Sequence, residues 1–262
     1  MPRITLNITE KELLSVAKLH NSFRYRRAQI WIMMSIRQLL ASSFHKPYSS
    51  TACNFERIIG HDGLKLILSK AILSRKPVHI LFVGQPGSAK TMFLTEMMQA
   101  LKQSYFIVGS NTTKAGLINQ LFERRPKYLL VDELEKMNKV DQMSLLHLME
   151  TGIISETKMR KTRQMKLTSW VFATANNSEK LIEPILSRFL VLPIPEYTFS
   201  EFTKIAIEML SYEKIDMYVA MTIAEKVWNE LGSKDIRNVI KIARLTKSAD
   251  DVSSIIQVMK RN

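Results

Sequence analysis

The sequence is poor in the residues that build disulfides and metal clusters. Cys53 is the only cysteine in 262 residues, which excludes an intrachain disulfide and a cysteine-based zinc cluster. The five histidines show no metal-ligand spacing. We therefore expect one large or two small domains held together by an apolar core, which a chain of this length can bury.

Apolar runs near the start of the chain are also short. The longest one there, Ile-Trp-Ile-Met-Met at residues 30–34, is too short to span a bilayer. The same region lacks the architecture of a cleaved signal peptide. We therefore expect a cytoplasmic protein with no membrane partner.

Acidic residues are outnumbered, so the formal net charge is +14. Residues 1–52 carry 8 basic and 2 acidic side chains, residues 53–198 carry 20 and 13, and residues 199–262 carry 10 and 9. A basic excess favours a nucleic acid or another polyanion as partner. Proteins that bind neither share this property, so charge alone leaves the partner open.

Three segments are expected along the chain. Residues 1–52 form a small basic helical segment that ends in a linker around Pro47. This segment could pack on the rest of the protein, bind DNA or recruit a protein partner. Residues 196–262 read as helices only, a C-terminal lid, at about Phe199–Ser211, Asp216–Leu231, Ser233–Thr246 and Asp250–Lys260.

Between them, residues 53–195 alternate short apolar runs with helical patterns. Continuous apolar runs are typical of strands that are covered on both faces. The fold class predicted is therefore α/β, with a five-stranded parallel sheet between helices. The predicted strands are His79–Val83, Tyr105–Val108, Tyr128–Val131, Ser169–Thr174 and Phe189–Leu192.

A phosphate-binding loop follows the first predicted strand and fixes the ligand class. It reads Gly84, Gln85, Pro86, Gly87, Ser88, Ala89, Lys90, Thr91. The glycines let backbone N–H groups turn toward phosphate oxygens, and the following helix adds its positive N-terminal end. Lys90 would reach the β- and γ-phosphates, and Thr91 would ligate Mg²⁺. Ala89 replaces the usual glycine, which is tolerable if its φ is negative.

A second motif supplies two carboxylates at the end of an apolar strand. Asp132 and Glu133 follow Tyr-Leu-Leu-Val at residues 128–131. Neighbouring side chains of a strand point in different directions, so the two carboxylates can divide the work. Asp132 would hold Mg²⁺ through water, and Glu133 would polarise the water that attacks the γ-phosphate. The expected cofactors are ATP and Mg²⁺.

With these two motifs the chain resembles an AAA+ ATPase over about residues 54–245. Asn176 stands where that superfamily keeps its sensor-1 residue, at the end of a strand expected beside the one before Asp132. Arg188 resembles the arginine finger that acts in trans on the next subunit, and Arg237 resembles the sensor-2 arginine of the lid. The plain alternatives are a turn asparagine, a structural ion pair and a surface arginine, respectively.

The resemblance implies further contacts. Ile59 and Gly60 are similar to the adenine-side segment, and Ser110 or Asn111 would restrain Glu133 before a partner binds. The motif Asp-Glu-Leu-Glu-Lys-Met at residues 132–137 is similar to MCM helicases and MoxR-type ATPases. The compact layout with a short lid is similar to RuvB and to archaeal RuvB-like ATPases.

Residues 152–170 predict a basic β-hairpin inserted before the sensor-1 strand. Its central part, residues 157–166, contains five basic residues and no acidic one: Lys158, Arg160, Lys161, Arg163 and Lys166. In MCM-like motors a hairpin at this point projects into the pore and touches DNA. Five cations on one tip would suit phosphate contacts. A protein substrate and a purely solvated hairpin remain the alternatives.

The function expected from this resemblance is a DNA-directed ATPase, a helicase or branch-migration-like translocase. Its ring would be a homo-oligomer, a hexamer, with Arg188 acting in trans. A MoxR-like protein-remodelling ATPase is the first alternative. A clamp-loader-like scaffold that uses ATP to assemble is the second.

Overall fold

The computed structural model describes residues 53–158, 161–246 and 249–261. The predicted helical segment 1–52 lies outside the described residues, as does Arg160.

The chain first alternates helices and strands and then becomes helical. The sandwich elements are α1 (Asp62–Ile72), β1 (His79–Val83), α2 (Lys90–Ala100), β2 (Ser104–Val108), α3 (Lys114–Arg124), β3 (Tyr128–Asp132), α4 (Lys139–Thr151), β4 (Ile153–Lys158), β5 (Lys161–Lys166), β6 (Trp170–Ala175), α5 (Glu183–Leu186) and β7 (Phe189–Pro193). Short 3₁₀ turns cover Gly109–Asn111 and Leu134–Lys136. The lid contains α6 (Phe199–Tyr212), α7 (Met217–Asn229), α8 (Ile236–Leu245) and α9 (Ala249–Arg261).

The five predicted strands form one parallel sheet in the order β2-β3-β6-β1-β7. The predicted α/β fold class is therefore confirmed. Because all five strands run in the same direction, their carboxyl ends meet at one edge of the sheet. The strand before Asp132 (β3) and the strand before Asn176 (β6) are neighbours, as expected.

Both faces of the sheet are covered, which explains why the strands are continuously apolar. Successive strand side chains point to opposite faces. Ile80 and Phe82 of β1 belong to one buried cluster, whereas Leu81 between them belongs to the other. The first cluster continues into the lid, where Phe202 and Val239 are fully buried. The sandwich and the lid thus share one apolar core.

A two-stranded antiparallel hairpin precedes β6, as the sequence predicts. Gly152 ends α4 with φ +68° and begins the hairpin. A Cβ atom on Gly152 would lie 2.7 Å from the carbonyl oxygen of Leu167, whose N–H donates to Gly152 O at 2.7 Å. The base of the hairpin is closed by a contact that leaves no space for a side chain.

Two classes of feature are absent from the described part of the chain. None of its helices has both the length and the apolarity that a bilayer crossing requires. Within the same residues, no group of three or more His, Cys, Asp or Glu side chains is placed to hold a metal ion.

His79 joins the sheet to the end of α4 and is buried. Its Nδ1 accepts a hydrogen bond from the Val171 N–H at 3.1 Å, so Nε2 carries the proton and donates to Met149 O at 3.3 Å. Burial lowers the pKa of His79, and burial also lowers the pKa of His61. The folded state therefore favours neutral imidazoles.

We expect stability to fall as the pH is lowered below the unfolded histidine pKa of about 6.5. The unfolded chain binds the proton there more readily than the folded one, so acid favours unfolding. Thermal unfolding between about pH 7 and 5.5 should show a shallower loss in His79→Gln than in the wild type. His147→Gln, at an exposed histidine, is the control and should keep the wild-type dependence. Equal slopes for His79→Gln and wild type would contradict this assignment.

Candidate nucleotide-binding site

The phosphate-binding loop lies between β1 and α2, as the sequence predicts. The Gly84 N–H donates to Ala175 O of β6 at 3.3 Å. A Cβ atom on Gly84 would lie 2.7 Å from Ile194 O. Gly87 has φ +83°, and a Cβ atom there would lie 2.9 Å from an Asp235 carboxylate oxygen of the lid. Glycine is required at both positions, by close backbone approach at the first and by backbone conformation at the second.

The expectation for Ala89 is wrong. Ala89 has φ +64° and lies at the N-cap of α2, in the left-handed region that glycine adopts freely. Its Cβ atom makes this conformation cost roughly 1–2 kcal/mol. The loop therefore keeps the backbone path that a glycine would give, and the surrounding fold compensates for the strain at this one residue.

Lys90 and Ser88 lie buried within the loop. The Lys90 ammonium donates to Gly84 O at 2.7 Å and to Gln85 O at 2.8 Å. Burial lowers the pKa of Lys90, against the attraction of the Glu135 and Asp132 carboxylates. The Ser88 hydroxyl is buried without a hydrogen-bond partner. The loop thus presents a buried cation and an unsatisfied hydroxyl where a phosphate would bind.

Asp132 is the centre of a hydrogen-bond network that joins three elements. The Thr91 hydroxyl of α2 donates to its carboxylate, 3.0 and 3.1 Å from the two oxygens. The Thr174 hydroxyl of β6 donates to Oδ1 at 2.5 Å and accepts from the Glu133 N–H at 2.9 Å. Thr174 therefore fixes Asp132 and the backbone of Glu133 together.

Thr91 and Asp132 together fit a magnesium ion bound with a nucleotide. Mg²⁺ prefers oxygen ligands and is held in proteins by one or two carboxylates together with substrate phosphates. The Thr91 hydroxyl and the Asp132 carboxylate are already in contact, and they stand beside the phosphate loop. The role predicted for these two residues stays a prediction that the donor set supports.

Glu133 is held by a lysine of its own motif. Its carboxylate lies 2.8 and 2.9 Å from the Lys136 ammonium, and this hydrogen bond raises the pKa of Lys136. The Ser110 hydroxyl instead contacts Asn111 Oδ1 at 3.4 Å. In the described structure the partner of Glu133 is therefore Lys136, and the restraint expected from Ser110 or Asn111 stays a prediction.

Asn176 contacts a different carboxylate, that of Glu135. Glu135 Oε1 accepts from the Asn176 N–H at 3.1 Å and from its Nδ2 at 2.8 Å. Glu135 is 8% exposed, and its Oε2 is buried without a partner. The action of Asn176 with Glu133 on a water molecule stays a prediction. The structure shows that Glu135 sets the position of Asn176.

The two candidate arginines are each paired within the described chain. Arg188 Nη2 lies 2.5 Å from Glu150 Oε1, so the expected alternative of an ion pair is observed in this single chain. Arg237 lies 2.7 Å from Asp235, the N-cap of α8. The charge of Arg237 also reaches Lys90 and contributes to lowering its pKa. Asp235, the partner of Arg237, lies against Gly87, which brings the start of α8 close to the phosphate loop.

A cavity of about 320 Å³ lies between part of the phosphate loop and the lid. It is lined by residues 85–88, 196–197 and 232–235.

Gly60, from the predicted adenine-side segment, has φ +72°, and a Cβ atom there would lie 2.7 Å from Glu201 Oε1 of the lid. Ile59 packs against the shared core, and Lys65 donates to the adjoining Ile58 O at 2.5 Å. The lid thus contacts both the loop and the segment expected beside adenine.

The hairpin separates its basic residues instead of collecting them at one tip. Lys158 and Lys161 pair with each other at the outer ends of the strands. Lys166 pairs with Ile153 at the base. Arg163 lies mid-strand, 2.6 Å from Glu156, with its guanidinium 4.2 Å from the centre of the Phe122 ring. Arg163 therefore anchors the hairpin to α3 in the described structure.

Comparison with known proteins identifies the family. A family model described as the MCM P-loop domain matches residues 59–227, from the adenine-side segment into α7. The chain belongs to the MCM P-loop domain family. The resemblance to AAA+ ATPases is thereby confirmed, and with it nucleotide binding as the general property of the P-loop fold.

Individual relatives in this family are distant and longer. The DNA replication licensing factor Mcm2 of Drosophila melanogaster is 26% identical over 71% of this chain and 25% of that protein. The minichromosome maintenance protein MCM of Saccharolobus solfataricus is 25% identical over 45% of this chain and 21% of that protein. The chain spans about a quarter of the length of these relatives.

Solved structures agree on the fold of this MCM P-loop domain. The Thermotoga maritima RuvB Holliday junction branch migration motor matches with a TM-score of 0.59 at 20% identity, over 78% of this chain and 73% of that one. A mutant form of the same protein reaches 0.62, over 80% and 73%. At this identity the similarity establishes the AAA+ architecture alone.

Two residues of the site, Thr174 and Glu135, were not assigned roles from the sequence. Thr174 lies in β6 two positions before Asn176, and Glu135 lies two positions after Glu133. A signal was present for Thr174, because a hydroxyl buried in an otherwise apolar strand needs a hydrogen-bond partner. Which carboxylate meets Asn176 depends on the turn after β3, which spacing alone does not reveal.

We expect Thr174→Val to lower the free energy of unfolding by about 1–3 kcal/mol, because it leaves the buried Asp132 carboxylate without one donor and the Glu133 N–H without its acceptor. Valine has nearly the same shape, so loss of packing contributes little. Thr157→Val is the matched control, since Thr157 is an exposed strand threonine that bonds only Thr162 in the hairpin. Chemical denaturation of both variants measures the difference. Equal stability of the two would contradict the network.

Proposed function

We propose that this protein is an ATP-driven motor that acts on DNA as a homo-oligomeric ring. The observation that carries the proposal is the meeting of Lys90, Thr91, Asp132 and Glu133 at the carboxyl edge of one sheet. The family match supports the ATPase part, and the basic hairpin supports the DNA part.

Each residue of the cleft has a separable task in this proposal. Lys90 and the loop N–H groups bind the phosphates of ATP. Thr91 and Asp132 hold Mg²⁺, which neutralises charge that develops on those phosphates. Glu133 accepts a proton from the attacking water, and it must first leave Lys136 to do so. Asn176, positioned by Glu135, orients the same water.

Arg188 is expected to act on a neighbouring subunit. It directly precedes β7, whereas the phosphate loop directly follows β1, and these strands are parallel neighbours from His79–Phe189 to Val83–Pro193. Five residues of strand, about 16 Å, therefore separate the two edges. Arg188 lies at the edge of the sheet opposite the phosphate loop of its own subunit. This position supports an ATP site that lies between two subunits.

The hairpin is the proposed element that touches DNA. Lys158 and Lys161 end its strands, and the connecting residues between them contain Arg160. Cations at such a tip can contact phosphates without reading base sequence. The side of the hairpin carries a neutral pair, Thr157 and Thr162, whose hydroxyls are 3.0 Å apart. That neutral surface favours a protein substrate as the second candidate, a remodelling ATPase.

Turnover with and without DNA tests this proposal. We expect single- or double-stranded DNA to stimulate ATP hydrolysis, whereas a protein remodeller would show the same rate in both conditions. Glu133→Gln should keep ATP binding and lose at least about 10²-fold in turnover, the usual contribution of a positioned base. Glu179→Gln, at an exposed glutamate of the same edge, is the control and should be unaffected.

Mixing two inactive variants tests the shared site. Lys90→Ala should lose ATP binding, and Arg188→Ala should bind ATP yet lose on the order of 10³-fold in turnover. A mixed ring contains interfaces where an intact loop meets an intact Arg188, so activity should return. If every mixing ratio stays inactive while mass measurement shows mixed rings, Arg188 does not act in trans.

A further inference from the structure

The edge of the sheet opposite the nucleotide cleft is strongly basic. The segments that lead into its five strands, each counted from the last residue of the preceding helix or strand, are residues 72–78, 100–103, 124–127, 166–169 and 186–188. They contain no acidic residue and eight basic ones, here called the basic edge: Arg75, Lys76, Lys102, Arg124, Arg125, Lys127, Lys166 and Arg188. Arg188 already has a proposed task, so the inference concerns the other seven.

The opposite edge has no excess of either charge. The segments that leave the five strands, counted through the first residue of the next helix, are residues 84–90, 109–114, 133–139, 176–183 and 194–199. They contain five glutamates and five lysines. The basic excess of the sandwich is thus concentrated on one side of the described fold.

Hydrogen bonds between adjacent segments fix the basic edge as one surface. The Lys127 N–H donates to Gln103 O at 2.9 Å, and the Trp170 N–H donates to Lys127 O at 2.8 Å. Trp170 Nε1 donates to the Ser74 hydroxyl at 3.0 Å, and that hydroxyl contacts Lys76 O at 2.7 Å. The segments before β1, β2, β3 and β6 therefore hold their cations at fixed relative positions.

Aromatic rings support two of these cations. The Lys127 ammonium lies 5.0 Å from the Tyr128 ring centre and 5.2 Å from that of Trp170. The Arg124 guanidinium lies 4.8 Å from the centre of the Tyr105 ring. All seven side chains are exposed. An exposed set of cations on segments that contain no acidic residue has a charge pattern suited to a polyanion.

We propose that the basic edge binds the phosphate backbone of a nucleic acid strand that continues from the hairpin. This inference rests on DNA as the proposed substrate. Lys166 belongs to both surfaces, since it ends β5 and begins the segment into β6. The segments before β1 and β2 are three strand spacings apart, about 14 Å, enough for several phosphates of one strand. An acidic face of a second copy is the competing occupant.

The first experiment compares two variants with the same loss of charge. Arg75→Gln/Lys76→Gln/Lys102→Gln removes cations from both ends of the basic edge. Lys204→Gln/Lys214→Gln/Lys241→Gln removes three exposed lysines from the lid. Binding of a fluorescent single-stranded oligonucleotide is followed against salt concentration. We expect the edge variant to lose about 2 units of the log–log salt slope, and the lid variant to keep the wild-type slope.

The second experiment uses the unmodified protein, so it does not depend on the variants folding. Lysines of the ATP-assembled protein are acetylated with and without the oligonucleotide, and modification is read by mass spectrometry. DNA should protect Lys76, Lys102 and Lys127, while Lys204 and Lys241 stay modified. Because assembly precedes DNA addition, subunit contacts are the same in both samples.

The outcomes separate the two proposals. Protection of Lys158 and Lys161 without protection of Lys76, Lys102 and Lys127 would overturn the basic edge and leave the DNA motor intact. Lysines of the edge already blocked before DNA is added would assign this surface to a second copy and also overturn the inference. Failure to bind any nucleic acid would end both proposals.

Discussion

The nucleotide-binding edge of the sheet is organised around the carboxylate of Asp132. It receives hydroxyl hydrogen bonds from Thr91 of α2 and Thr174 of β6, and so joins the phosphate-loop helix to two central strands. A carboxylate that is 8% exposed is costly to bury unless its oxygens are hydrogen-bonded. The same bonds that remove this cost place Thr91 beside Asp132, and these two residues are the proposed magnesium ligands. Stability and site geometry therefore rest on one group.

The five strands of the sheet could be predicted from the sequence, because strands that are buried on both faces are continuous apolar runs. The phosphate loop was equally accessible, since its residues are contiguous. Local backbone angles were not: Ala89 adopts φ +64°, although an alanine favours negative values. Nor could the pairing of nearby charges be read from spacing. Glu133 turns to Lys136 and Glu135 to Asn176 because the chain after β3 passes through the left-handed region at Glu133. The positions of the hairpin cations followed only once the strand register was known.

The charged groups with proposed roles in hydrolysis are each held by a near neighbour in the single chain. Glu133 pairs with Lys136, Arg188 with Glu150, and Arg237 with Asp235. All six side chains are at least a quarter exposed, and ion pairs at the surface contribute little to stability. A triphosphate or an adjoining subunit can therefore displace these partners at little cost. Each pair neutralises a charged side chain in the single chain, and the side chain can still change its partner when a ligand or a subunit binds.

Glu135 differs from these pairs because it is buried. Its Oε1 is occupied by Asn176, and its Oε2 has no hydrogen-bond partner. Among the carboxylates around Lys90, Glu135 exerts the largest of the influences that raise the pKa of Lys90. A buried carboxylate with one unsatisfied oxygen is stabilised by a nearby cation. Glu135 therefore contacts the residue proposed to orient water and also acts electrostatically on the lysine proposed to bind phosphate.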